Sequence, residues 1–225
     1  MAELCLLFDS DGTLVDSEVL LAEALASTLP GYGLPFTAAR YLDHFRGVRF
    51  RSIVAELEAH HGALAPERLD EMEAHMRATL EDLMTARLTA MPGMPQALAE
   101  LSGYPCGVVT NGPERKVRLA LDTTGLARFF DGHIFSAYTL GVWKPDPRLY
   151  RLAAEQMGFA PQRCVVIDDA AVGVKAGLDA GMHVIHFAHH EDGLGTPSGA
   201  LKMRSARELP ALIREISQRV ARLDP

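Results

Sequence analysis

Three short apolar runs in this chain each stop abruptly at a polar, chemistry-bearing residue, and that punctuation constrains the fold more than any other feature. Leu4–Phe8 runs into Asp9-Ser10-Asp11-Gly12-Thr13, Gly107–Thr110 into Asn111-Gly112, and Cys164–Ile167 into Asp168-Asp169. A fourth run, His183–Phe187, and a weaker one, Ile134–Ser136, are similarly rich in branched residues. Apolar runs this short and continuous read as strands buried on both faces, the habit of parallel sheets. Between them lie helix-like stretches, Pro113–Leu126, Asp146–Gly158 and Ala171–Gly181, with Gly125, Gly158 and Gly181 as stop signals. Strands alternating with helices across short loops predict an α/β fold with a Rossmann-like, doubly wound parallel sheet.

The alternation breaks once. From Ser17 to about Arg87 there is no strand signal, only helical periodicity. Leu21, Leu25, Thr28 and Leu29 share one face, Ile53, Leu57 and His61 another, and Met72, Met76, Leu80 and Leu83 form a third stripe. Methionine and leucine at this spacing read as core rather than as a cofactor site. The expectation is an α/β core from residues 1–16 and 88–225, with an all-helical domain of residues 17–87 inserted after the first strand. Met91-Pro92-Gly93 restarts the α/β pattern. At the far end a loop, Gly193–Gly199, precedes an amphipathic helix carried by Leu209, Leu212, Ile213, Ile216 and Val220.

Composition narrows the function. With 22 basic against 29 acidic side chains the net charge is −7, so a nucleic-acid or membrane-surface partner, which needs a basic face, is not expected. Cys5, Cys106 and Cys164 cannot all pair and none lies in a CxxC spacing; each sits at or inside an apolar run and reads as a small buried hydrophobe of a reducing compartment. Leu4–Phe8 lacks a basic leader and is too short for a signal peptide or a membrane span, so a cytoplasmic monomer is expected.

In open α/β sheets, ligands bind just beyond the carboxyl ends of the strands. Asp9, Asp11, Asp168 and Asp169 would converge there, and their repulsion would grow with desolvation. A hard divalent cation relieves it, and an all-oxygen donor set suits Mg2+. Lys144, in Trp143-Lys144-Pro145-Asp146, would offset further negative charge. Thr110, Asn111 and backbone amides around Ser10 to Gly12 can donate to phosphate oxygens. Each piece alone could be a turn or a helix cap; their shared order and strand placement argue for a site that holds a phosphoryl group beside a metal.

Phe8-Asp9-Ser10-Asp11-Gly12-Thr13-Leu14-Val15-Asp16-Ser17-Glu18 resembles the first motif of the haloacid dehalogenase superfamily, in its phosphatase and phosphomutase branch. Thr110 resembles the second-motif hydroxyl, Lys144 the third-motif lysine, and Asp168-Asp169 the acidic fourth motif, while the helical insertion is similar to that family's cap domain. Asn111-Gly112-Pro113, Trp143 to Pro147 and Asp179 to Met182 look most like the bacterial 6-phosphogluconate phosphatase-type members. The resemblance implies a Mg2+-dependent phosphatase acting on a small phosphorylated metabolite, with Asp9 as nucleophile and Asp11 as general acid and base. It implies Mg2+ on the Asp9 carboxylate, the Asp11 carbonyl and Asp169, with Asp168 a second choice through water. Ala170 departs from the pattern, because relatives often carry serine there.

Neighbouring readings are weighed by the same residues. A dehalogenase of the superfamily would carry tyrosine at Asp11, and a β-phosphoglucomutase-like mutase would carry histidine at Leu21. A receiver-type signalling domain would place its acidic pair ahead of the phosphorylated aspartate and lack the helical insertion; a non-catalytic phosphate-binding module would have no need of the intact aspartates. Arg46, Arg49 and Arg51, around Gly47, are either a solvated turn or readers of a substrate's tail, with Arg46 the first candidate. His186, His189 and His190 follow the last strong strand and read as loop histidines without a metal.

Overall fold

The computed structural model describes residues 4–46, 48, 50–189 and 195–223. Two compact units partition the chain: Ser17–Leu88 on one side, and the residues up to Asp16 together with those from Thr89 onward on the other. Arg49, Gly47 and His190, named above as candidates or as their neighbours, lie outside the described residues.

The first unit is helical. Its helices are α1 (Glu18–Thr28), α2 (Ala38–His44), α3 (Phe50–His61) and α4 (Pro66–Arg87). Thr37 starts α2 by accepting a hydrogen bond from the Arg40 amide at 3.2 Å, and Pro66 starts α4, where its missing N–H would have had no intrahelical partner. The buried stripe of α4 is Met72, Met76, Leu80 and Met84; Leu83 lies off it, because the next position on that face is four residues beyond Leu80. Likewise His61, expected to share a face with Ile53 and Leu57, is exposed at the end of α3. Leu25, Leu34, Phe36, Tyr41, Phe45, Ile53, Leu57, Met72 and Met76 pack into one core, and an Arg87–Glu23 ion pair joins the last turn of α4 to α1.

The second unit is built on a six-stranded parallel sheet. Its strands are β1 (Cys5–Phe8), β2 (Cys106–Thr110), β3 (Ile134–Ser136), β4 (Cys164–Asp168), β5 (His183–Phe187) and β6 (Leu201–Met203), ordered β3-β2-β1-β4-β5-β6. Around it lie α5 (Met94–Glu100), α6 (Glu114–Thr123), α7 (Ala137–Leu140), α8 (Arg148–Met157), α9 (Ala171–Asp179) and α10 (Leu209–Leu223). This is the doubly wound α/β architecture, and the strand order reverses at β1. Every residue of β1, β2 and β4 is buried, which is why those strands read as unbroken apolar runs. β6, just beyond the expected loop Gly193–Gly199 and not anticipated from sequence, is an edge strand of three residues with an exposed lysine at its centre, so it carries neither an apolar run nor a clean alternation.

Cys5 and Cys164 are register partners across β1 and β4, and all three cysteines are buried free thiols. Burial, with the charge of Asp131, pushes the Cys106 thiol up to about 12. Among the described residues no helix is long and apolar enough to cross a membrane.

Candidate active site

β1 and β4 run in register as far as Phe8 against Ile167, so the next residues, Asp9 and Asp168, emerge side by side at the carboxyl edge. The Asp9 amide donates to the Ile167 carbonyl at 2.9 Å, extending that pairing by one residue. The chain then turns tightly, with the amides of Leu14 and Val15 both on the Ser10 carbonyl and that of Gly12 on the Val15 carbonyl. Gly12 is required twice over: its φ is +79°, and a Cβ there would stand 2.2 Å from Asp169 Oδ2. Thr13 joins the turn to β4, its hydroxyl donating to Asp169 Oδ1 at 2.8 Å and accepting from the Asp169 amide at 3.1 Å.

Lys144 is the cation of the cluster. Its side chain is only 3% exposed, and Nζ lies 2.6 Å from Asp9 Oδ1 and 2.7 Å from Asp168 Oδ2. Burial works against this ammonium, but Asp168 and Asp9 outweigh it and hold its pKa above the ordinary lysine value. Burial, helped by Asp168 and Asp169 and opposed by Lys144, pushes the Asp9 carboxyl well above the usual carboxylate range. Asp168 is the structural anchor: Oδ2 also accepts the Tyr150 hydroxyl at 2.7 Å, and Oδ1 accepts the Ala170 amide at 2.9 Å. The amide, not a side chain, makes that second bond, so alanine at 170 leaves it intact.

Two phosphate-facing candidates, Asn111 and Thr110, have side chains with defined local partners. The Asn111 side chain is spent on the Lys144 backbone, accepting from its amide at 2.8 Å and donating to its carbonyl at 3.2 Å. It therefore ties the lysine-bearing loop to the end of β2. Thr110, buried at the end of β2, accepts the Gly112 amide on its hydroxyl at 2.9 Å, and Ser10 is buried inside the turn after β1. In the helical unit Arg46 Nε donates to the Leu42 carbonyl at 3.0 Å, whereas Arg51 bridges Asp70 and Glu73 and is engaged as a structural ion pair.

The acid cluster fits a hard cation. Asp9, Asp168 and Asp169 each offer an oxygen within 4.8 Å of the others, and Lys144 alone cannot neutralise three carboxylates. The set is all oxygen and carries excess negative charge, the composition that suits Mg2+.

Sequence reasoning missed two participants. Lys116, in the first turn of α6, reaches Asp11 Oδ1 at 2.8 Å. Tyr150, on α8, looks in sequence like one more core aromatic of an amphipathic helix. A third, His186, expected in the loop after the last strand, is instead buried within β5, where it meets the Asp169 carbonyl at 3.2 Å through Nε2 and the Thr196 hydroxyl at 3.0 Å through Nδ1. Only Lys116 left a signal, a lysine one turn into the helix that follows the Thr110 motif.

An aspartate pair at the end of β1, a buried lysine across it and an acidic pair at the end of β4 define a haloacid dehalogenase-like hydrolase. That family's profile matches residues 4–181, and the chain belongs to it. Several curated relatives are named as phosphatases, and it is a phosphoric monoester hydrolase of this family. It is 33% identical over 180 residues to 6-phosphogluconate phosphatase of Escherichia coli, with 80% of each chain covered. It is 34% identical over 184 residues to hexitol phosphatase A of the same organism, again with 80% of each covered. Among solved structures, a family hydrolase from Deinococcus radiodurans with bound phosphate and sodium is 32% identical at a TM-score of 0.73, covering 95% of this chain and 96% of that one.

Proposed function

We propose that this enzyme is a Mg2+-dependent phosphatase that hydrolyses a small sugar phosphate through an aspartyl-phosphate on Asp9. The observation that carries the reading is the Asp9 carboxylate, held by the Lys144 ammonium at 2.6 Å beside Asp168 and Asp169 at the strand edge. Asp9 attacks phosphorus in line, forming the acyl phosphate as the bond to the leaving oxygen breaks. Asp11 gives that oxygen its proton, then takes one from the water that attacks the same phosphorus, releasing phosphate and restoring Asp9. Lys144 orients Asp9 and balances charge on the phosphoryl oxygens, with the Thr110 hydroxyl and the amides of the turn after Ser10 as further donors. Mg2+ would be held by the Asp9 carboxylate, the Asp11 carbonyl and Asp169. When bound, it shields phosphoryl charge from the incoming carboxylate.

The substrate proposal is an open-chain sugar acid or polyol phosphate, supported by the relatives that act on 6-phosphogluconate and hexitol phosphates. Release of phosphate from sugar phosphates, polyol phosphates and nucleotides, with Mg2+ and with EDTA, tests it. The expected result is metal-dependent release that favours 6-phosphogluconate; transfer of phosphate between sugar positions without release would establish a mutase instead. Arg46 is the proposed reader of the substrate carboxylate, because a guanidinium clasps a carboxylate bidentately. Arg46→Ala should then cost kcat/KM for 6-phosphogluconate far more than for p-nitrophenyl phosphate. Equal losses on the two would remove Arg46 from substrate recognition.

A further inference from the structure

Lys116 is a second lysine at the site, and it touches a different aspartate from the first. It stands at the third position of α6, which opens just past Thr110-Asn111-Gly112-Pro113. Its Nζ lies 2.8 Å from Asp11 Oδ1, and the two side chains are only 17% and 22% exposed. Most ion pairs among the described residues are looser in that sense; Lys175 and Asp179, for example, are 63% and 45% exposed. An exposed pair is worth little, whereas a partly desolvated, charge-assisted hydrogen bond fixes geometry.

The other carboxylate oxygen, Oδ2, faces the Gly112 region, 3.8 Å from the point where a Cβ on that glycine would stand, so a side chain there would come against it. That backbone is itself pinned, the Gly112 amide donating to Thr110 Oγ1 at 2.9 Å and its carbonyl accepting from Ser136 Oγ at 2.7 Å. What fixes Asp11 in the structure is the Lys116 ammonium on Oδ1, with a pinned Gly112 segment nearby.

We propose that Lys116 is a positioning residue for proton transfer, holding the Asp11 carboxyl in the one orientation that serves the leaving oxygen. The inference rests on the reading of Asp11 as proton donor and acceptor. In-line displacement places the departing oxygen and the later attacking water on the same side of phosphorus. One fixed orientation of Asp11 therefore serves both half-reactions, and small misplacements of a reacting group are costly. Lys144 already supplies the cation beside Asp9, so the geometry leaves Lys116 the separate task of aiming Asp11.

Leaving-group dependence separates this role from a structural or a general electrostatic one. kcat/KM for a covalent phosphatase reports steps through loss of the leaving group, and a poor leaving group needs the proton more. The experiment is kcat/KM for p-nitrophenyl phosphate, phenyl phosphate and intermediate aryl phosphates with wild type, Lys116→Met, Lys116→Arg, Asp11→Asn and the Lys116→Met/Asp11→Asn double variant. Lys116→Met should lose about tenfold more on phenyl than on p-nitrophenyl phosphate, part of the 10²–10⁴-fold that a general acid contributes. Lys116→Arg should restore the shallow wild-type dependence, and Lys116→Met should add no loss in the Asp11→Asn background. Equal loss across the esters, or additive losses in the double variant, overturns the proposal while leaving Asp11 in its role. An Asp11→Asn enzyme with unchanged leaving-group dependence removes Asp11 as the donor, and the Lys116 role falls with it. Melting curves of each variant separate loss of fold from loss of aim.

Discussion

Two glycines set how closely the aspartates can gather. A Cβ on Gly12 would meet Asp169 Oδ2 at 2.2 Å, and one on Gly173 would meet Asp168 Oδ2 at 1.8 Å, so the acid cluster is packed against bare backbone on two sides. Packing that tight makes isosteric substitutions the informative ones. Asp9→Asn nearly keeps the volume while removing the nucleophile. Turnover should vanish, and the melting temperature should hold or rise, since burial and the neighbouring carboxylates already disfavour charge on Asp9. Phosphate release by the purified variant above the level explained by deamidation would rule out the acyl phosphate. Asp11 and Asp169 separate by metal dependence. Asp11→Asn retains the backbone carbonyl assigned to Mg2+, so half-activation should come at an unchanged Mg2+ concentration while turnover falls 10²–10⁴-fold. Asp169→Ala removes a carboxylate ligand, and its activity should climb with Mg2+ beyond the point where wild type saturates. Identical metal titrations for the two variants would show that the roles are misassigned.

At the scale of elements, what the sequence reveals is whatever burial writes into it. β1, β2, β4 and β5 are strands of the sheet interior, so selection for burial on both faces spells them as apolar runs, and their carboxyl ends are readable from where the runs stop. β6 is at the edge, is three residues long and carries Lys202 outward, so neither period nor propensity marks it. The site divides in the same way. Asp9, Asp11, Lys144, Asp168 and Asp169 are legible because each sits at the end of an element or in a recognisable motif. Lys116 against Asp11 and Tyr150 against Asp168 are side-chain contacts across 105 and 18 positions, and a linear pattern does not encode which side chains cross between elements. β5 also carries a pH signal. Burial lowers the pKa of His183, at its first position, below the ordinary 6.5. The unfolded chain then binds more protons than the folded one, so stability is full above that ordinary value and declines as pH falls through it toward the folded value. The melting temperature of wild type should drop between pH 7.5 and 5.5 by more than that of His183→Gln. Equal drops would place the sensitivity elsewhere, in carboxylates or other histidines.

Among the described residues, hydrophobic clusters include one around Leu25, Tyr41, Leu57 and Met72 in the helical unit and one around Leu7, Val109, Tyr150 and Val166 in the α/β unit. The acid cluster stands at the edge of the second and works against it, because gathering Asp9, Asp168 and Asp169 within 4.8 Å costs electrostatic energy that the single ammonium of Lys144 offsets only in part. A ligand that binds only the folded state recovers that cost through mass action. Mg2+ at a hundred times its dissociation constant should therefore stabilise the fold by about 2.7 kcal/mol. For a chain of this size that corresponds to a rise of about 5–10 °C in melting temperature. The measurement is thermal unfolding in EDTA, in MgCl2, and in NaCl matched for ionic strength. NaCl should reproduce little of the shift, because a screened monovalent ion does not neutralise clustered carboxylates as a bound divalent one does. Asp169→Ala should melt higher than wild type in EDTA, with one repelling charge gone, and gain less from MgCl2. A wild-type curve that MgCl2 and NaCl move equally would mean that these carboxylates hold no specific cation, and it would overturn the metal dependence without any measurement of turnover.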